Sequence, residues 1–170
     1  MPASAPPASL LAAPPLLRRM GAWLYDGLLA AAIALVASIP MTLLHPWTGG
    51  AEPFATRAVL FLVLGLYFSW SWSRGQTLAM KTWRIRLVDR HGQPLRQAHA
   101  LLRYALCWVW LLPPLAAMAY LKLPVSQMAA PAIGWIVLWA LASRLHPQRQ
   151  FWHDAWAGTR LIDTRPAQQR

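Results

Sequence analysis

One carboxylate interrupts the apolar part of this chain. Asp26 is the only Asp or Glu within its four long hydrophobic runs. On a membrane helix it would lie ~9 Å below the cytoplasmic edge of the hydrocarbon, at ~1.5 Å rise per residue. An Asp at the bilayer centre costs roughly 2.5–3.5 kcal/mol on insertion scales and less at this depth, so Asp26 should face the bundle and meet a partner. Arg19 lies two helical turns earlier and only ~20° off the same face, but the axial gap of ~10 Å is long for a direct pair. Arg103 and Arg160, each arriving from the cytoplasmic side, are candidate partners of Asp26, and Asp154 would take whichever arginine remains. Two chemistries fit these residues. Asp26 can be a proton or cation site that titrates as a pathway opens, or a static clamp that ties the first span to the central loop.

Other reactive side chains offer less. His146, His153 and Asp154 match no metal-ligand spacing and no thiol accompanies them, so His153 is expected to orient or cap near Asp154. Cys107 is the single cysteine, which excludes an internal disulfide and any CxxC site; between Leu106 and Trp108 it reads as an inert core residue. There is no nucleophile–base arrangement, phosphate loop or carboxylate pair, so neither enzyme activity nor a metal or cofactor is expected. Pro113-Pro114 in the third run removes two backbone donors and predicts a kink or break. Broken helices line binding sites in several transporters, though proline in a membrane helix is also tolerated as a plain bend.

These groups are positioned by a chain with 57% apolar and 12% charged residues, against about 25% charged in soluble domains. The runs cover about 20–44, 55–72, 101–121 and 125–142, each long enough for a membrane helix, the second and fourth only just. Fourteen of the sixteen Lys and Arg fall before the first run, between the second and third with Arg103 at the entry to the third, or after the fourth. Arg57 and Lys122 alone lie on the other side. The positive-inside rule then predicts an all-α membrane protein of four transmembrane helices with both termini cytoplasmic, in the inner (plasma) membrane. The formal charge of +11 flanks apolar spans, so its expected partner is a bilayer with anionic headgroups and not nucleic acid. Residues 1–17, rich in Pro and Ala, carry no basic residue ahead of an apolar core; they read as a flexible cytoplasmic tail, with the first span an uncleaved signal anchor. Trp23, Trp47, Trp70, Trp72, Trp108 and Trp139 lie near span ends, where indoles favour the headgroup level, and Trp135 reads as a core aromatic.

The cytoplasmic segments have structure of their own. Gln76 to Lys81 predicts a short interfacial helix capped by Thr77. Trp83 to Asp89 alternates apolar and basic residues as a strand does, Arg90 to Pro94 is a turn, and Gly158 to Asp163 is a second short strand. The two would pair into a β-ribbon that must lean on the bundle, because an isolated pair is marginal in water.

Three stretches together resemble the RDD family of membrane proteins, named for one arginine and two aspartates. Arg18-Arg19-Met20-Gly21-Ala22-Trp23-Leu24-Tyr25-Asp26 is similar to its opening motif, with Arg19 as the family arginine and Asp26 as the first aspartate. Gly75 to Lys81, Ile85 to Asp89 and Gly92-Gln93-Pro94 resemble its central segment, followed by Arg103. His153-Asp154-Ala155-Trp156-Ala157-Gly158-Thr159-Arg160 resembles its closing motif, with Asp154 as the second aspartate. Relatives often carry Gly where this chain has Ala79, so helix is expected in place of a tight turn. The resemblance implies a membrane domain over 18–163, with 164–170 a C-terminal tail, and suggests transport of a small cation or solute; its sharpest form is cation–proton exchange. The competing class is a non-transporting scaffold or accessory subunit in which Arg19, Asp26, Arg103, Asp154 and Arg160 only hold the bundle together. A homo-oligomer would favour the carrier, since so small a bundle leaves little room for a pathway.

Overall fold

A computed structural model describes residues 13–44, 53–122, 124–146 and 150–165. Trp47, most of the N-terminal tail and nearly all of the C-terminal tail lie outside the described residues. The chain forms α1 (Leu16–Leu44), α2 (Pro53–Ser73), α3 (Leu78–Thr82), β1 (Ile85–Asp89), α4 (Gln97–Tyr120), α5 (Val125–Ala142), α6 (Trp152–Trp156) and β2 (Thr159–Asp163). Of these, α1, α2 and α4 are long and apolar enough to cross a membrane, and α5 is a shorter apolar helix. Leu24, Leu28, Leu35, Leu62, Leu66 and Leu138 all stand exposed on these helices. Apolar exposure this broad is foreign to a soluble monomer and suits a lipid-facing surface.

The long helices pack in sequence, α1 on α2, α2 on α4 and α4 on α5. Aromatic rings fill the α2–α4 seam: Phe61, Phe68 and Tyr104 lie at centroid separations of 5.2 to 6.4 Å. Tyr104 also donates to the Phe61 carbonyl at 2.8 Å. At Gly65 an added Cβ would come within 3.0 Å of the Tyr104 ring, so the absence of a side chain lets the two helices close. Two tryptophans expected at the headgroup level turn inward: Trp72 and Trp139 are buried in the core, whereas Trp70 is half exposed.

Pro113-Pro114 does not break its helix, because α4 runs unbroken through both. Pro114 lacks the N–H that would bond the Trp110 carbonyl one turn back. That carbonyl accepts the Trp135 indole N–H from α5 instead, at 2.9 Å. A cross-helix donor thus replaces the missing one, as membrane helices with internal proline require.

Beneath the helices, β1 and β2 pair antiparallel with Leu87 opposite Leu161. Ile85, Leu87 and Leu161 join Ala22, Trp72 and Trp139 in one core, so the ribbon does lean on the bundle. Its outer edges are also satisfied. The Gly75 carbonyl accepts from Leu87 N–H at 2.8 Å, and the Gln76 amide donates to the Ile85 carbonyl at 2.9 Å. On the other edge the Gln150 side chain accepts from Leu161 N–H at 3.0 Å and donates to its carbonyl at 3.1 Å. One amide side chain thereby does for β2 what a third strand would. The expected turn forms on Asp89, whose Oδ1 accepts from the N–H groups of His91 and Gln93, both at 2.8 Å, with Gly92 at φ 79°.

Candidate functional site

Two charge assemblies lie side by side under the helix bundle, and they differ in whether their charges are paired. In the first, Arg103 of α4 holds Asp154 of α6. The Arg103 Nε and Nη2 reach Asp154 Oδ1 at 2.8 and 2.7 Å, and His153 Nε2 lies 3.2 Å from the same oxygen. Asp154 is 0% exposed, and the Arg103 guanidinium also sits over the Trp72 ring, 4.0 Å from its centroid. Burial alone would raise the Asp154 carboxyl, but Arg103 and then His153 hold it well below the usual carboxylate range. Burial likewise works to deprotonate His153, yet the adjacent Asp154 carboxylate overrides it and pushes the imidazole up to about 9. At neutral pH this is an ionic triad, paired through Asp154 Oδ1, with Asp154 Oδ2 and His153 Nδ1 left without partners among the described residues. Breaking such a buried pair from one side typically costs about 3–5 kcal/mol, because the survivor is left charged and unpaired.

The second assembly holds no ion pair. Thr77 caps α3, its Oγ1 accepting from Met80 N–H at 3.1 Å while its own proton goes to Asp26 Oδ2 at 2.9 Å. One hydroxyl thereby links α3 to α1. Asp26 Oδ1 is buried with no hydrogen-bond partner among the described residues, and the same holds for Nε and Nη1 of Arg19. Arg19 is 4% exposed, its guanidinium 4.6 Å from the centre of the Phe151 ring. Phe151 in turn stacks on Trp139 at 4.2 Å and 7°. Arg19 and Asp26 make no ion pair with each other, in keeping with their axial separation.

Both assemblies border one cavity of about 300 Å³ between α1, α2, α4 and α5, with Ile85 and Leu161 of the ribbon also in its wall. Arg19, Asp26, Arg103 and His153 contribute to its wall, and most of the remainder is aromatic or aliphatic. On the side where α1 meets α5, Trp23 and Trp139 approach at 6.2 Å. A largely apolar cavity with a few convergent polar groups is the usual form of a small-molecule site.

The pairing differs from that expected for Asp26. Arg103 pairs with Asp154, not Asp26, because its position nearly two turns into α4 faces α6; Asp26 is met instead by Thr77. Arg160 does not reach the cavity. It lies on β2 opposite Val88 and faces a separate shallow depression shared with Arg90 and His146. Thr77 and His153 thus have larger parts than the sequence indicated, and one further pair was not foreseen. Arg18 donates to Asp163 Oδ2 at 2.8 Å and to the Trp83 carbonyl, tying the start of α1 to the ribbon. The signal was present in the Arg18-Arg19 doublet, since neighbouring helix positions differ by ~100° and must face different surroundings.

A search of curated proteins and one of solved structures returned no match. The family model matches residues 13–158, which takes in α1 through α6 and stops short of Arg160 and β2. With most of the chain matched, this protein belongs to the RDD family.

Proposed function

We propose that this membrane protein moves a small solute or cation across the inner membrane through the cavity bordered by Arg19 and Asp26. In this reading α1, α2, α4 and α5 are four spans, with both termini and the ribbon in the cytoplasm where fourteen basic residues collect. A single observation carries the proposal. Arg19 and Asp26 are buried, border the cavity, hold polar atoms without partners among the described residues and make no ion pair, whereas Arg103, His153 and Asp154 are paired with one another. The Arg103–Asp154–His153 triad provides the fixed frame against which α1 can adjust.

Cation–proton exchange is the sharpest form of the reading, with Asp26 alternately protonated and charged. The scaffold alternative is favoured by the triad, which needs no ligand. The two are separated by purified protein in sealed vesicles with an internal pH dye, challenged with Na⁺, K⁺ and Li⁺, wild type beside Asp26→Asn. A carrier gives cation-driven proton movement that the variant loses while remaining folded. Flat traces from correctly inserted wild type remove cation–proton exchange and shift weight to the scaffold or to an uncharged or anionic solute.

A further inference from the structure

We infer that the cavity binds an amphipathic oxyanion: a carboxylate, sulfonate or phosphate head held by Arg19, with a short apolar body among the aromatic rings. This deepens the proposed function by naming a solute class, and it rests on the cavity being a binding site. The first ground is a donor excess. Nε and Nη1 of Arg19 and the indole N–H groups of Trp72, Trp110 and Trp139 are all buried without partners, and all belong to residues that line the cavity. The cavity-lining carboxylate, Asp26, offers one unpartnered oxygen against these five N–H groups. Buried donors in native proteins almost always find acceptors, so the complementary ligand is rich in acceptor oxygens. A second ground is charge. Arg103 is matched by Asp154, but Arg19 has no carboxylate within ion-pair distance among the described residues. A buried guanidinium with free N–H groups at Nε and Nη1 fits an oxyanion, which takes a charge-assisted bond from either edge.

The third ground is shape. At interior packing density about 300 Å³ accommodates roughly a dozen heavy atoms, too many for a bare ion and too few for a whole lipid. The rest of the wall is built from rings such as Phe68, Trp108 and Trp139, which reward an apolar body and not a hydrated cation. An alkyl anion of that size satisfies the donors at one end and the rings at the other. The same head chemistry exists on a free solute and on an anionic lipid whose headgroup enters the cavity.

Cys107, the only cysteine, lines the cavity and serves as the reporter. The full chain is placed in nanodiscs of zwitterionic lipid, and alkylation of Cys107 by a neutral maleimide is timed with and without 1-octanesulfonate. Saturable protection of about tenfold or more is expected, absent with octyltrimethylammonium and weakened about tenfold in Arg19→Gln, where a charge-assisted contact is lost. Arg19→Lys, which retains the charge, should protect at intermediate concentration and guards against misfolding of the Gln variant. Nanodiscs of anionic lipid slowing Cys107 labelling without added sulfonate would identify the lipid headgroup as the source; protection by the sulfonate alone identifies a free solute. Equal protection by the ammonium compound, undiminished protection in Arg19→Gln, or no protection by either anion overturns the inference. Vesicle flux distinguishes the two proposals. Asp26-dependent cation movement without sulfonate protection leaves the carrier and removes the oxyanion, while protection without any flux does the reverse.

Discussion

Replacing Asp154 by Asn should unfold the ribbon side of this protein, whereas the same change at Asp26 should not. Asp154 is fully buried and takes two charge-assisted bonds from Arg103 at 2.7 and 2.8 Å, with His153 at 3.2 Å. Asn retains the volume and removes the charge. Arg103, itself 4% exposed, is then left as an unpaired buried cation, and losing one side of such a pair costs about 3–5 kcal/mol. Asp26→Asn keeps an oxygen for the Thr77 hydroxyl at 2.9 Å, so about 1 kcal/mol or less is at stake there. Removing both halves of the frame, as Arg103→Met with Asp154→Leu, leaves no orphaned charge and should recover much of the loss. Denaturant titration of the protein in mild detergent, followed by tryptophan emission, measures the wild type and all three variants. Equal stability of Asp154→Asn and wild type would refute the reasoning, as would a double variant no better than the single one.

Three further outcomes follow from the same geometry. His153 keeps its proton to about pH 9 when folded and to ~6.5 when unfolded, so its contribution is complete below ~6.5 and disappears as pH rises through about 9. Asp154 is held below the usual range, so its contribution is present above ~4 and fails only as pH falls below that. Stability in the same titration should therefore decline between pH 6.5 and 9, and His153→Gln should flatten that limb. Trp135→Phe removes the donor to the carbonyl that Pro114 leaves open and should cost about 0.6–1.7 kcal/mol; in a Pro114→Ala background, where a backbone N–H returns, the same change should cost less. Gln150→Leu strips both bonds from the buried Leu161 peptide groups and should cost about 2 kcal/mol, with faster amide exchange at Leu161 by mass spectrometry.

Local and periodic features were legible in the sequence; long-range pairings were not. The apolar runs end where the helices end, Thr77 caps α3 as its hydroxyl beside an apolar stretch predicts, and the two short strands pair. Ala79 lies within helix α3, fully buried, as the absence of glycine there suggested. The partner of Asp26 was not legible, because a carboxylate inside a span can be met by any donor that tertiary packing delivers. It is a threonine hydroxyl from α3, and the arginine expected there belongs to Asp154. Pro113-Pro114 failed as a break for a related reason, since the replacement donor lies on another helix, twenty-one residues beyond Pro114 in sequence. Gln150 gave no signal at all, because its value lies in the strand edge it meets.

The central claim is that the unpaired Arg19 and Asp26 work while the Arg103–Asp154 ion pair holds the fold. Sealed vesicles with an internal pH dye, comparing wild type with Asp26→Asn under Na⁺, K⁺ and Li⁺ pulses, test it most directly. Solute-driven proton movement by wild type, reduced at least about tenfold in an Asp26→Asn protein of native stability, is the predicted result. An Asp26→Asn variant that carries solute at the wild-type rate would contradict it.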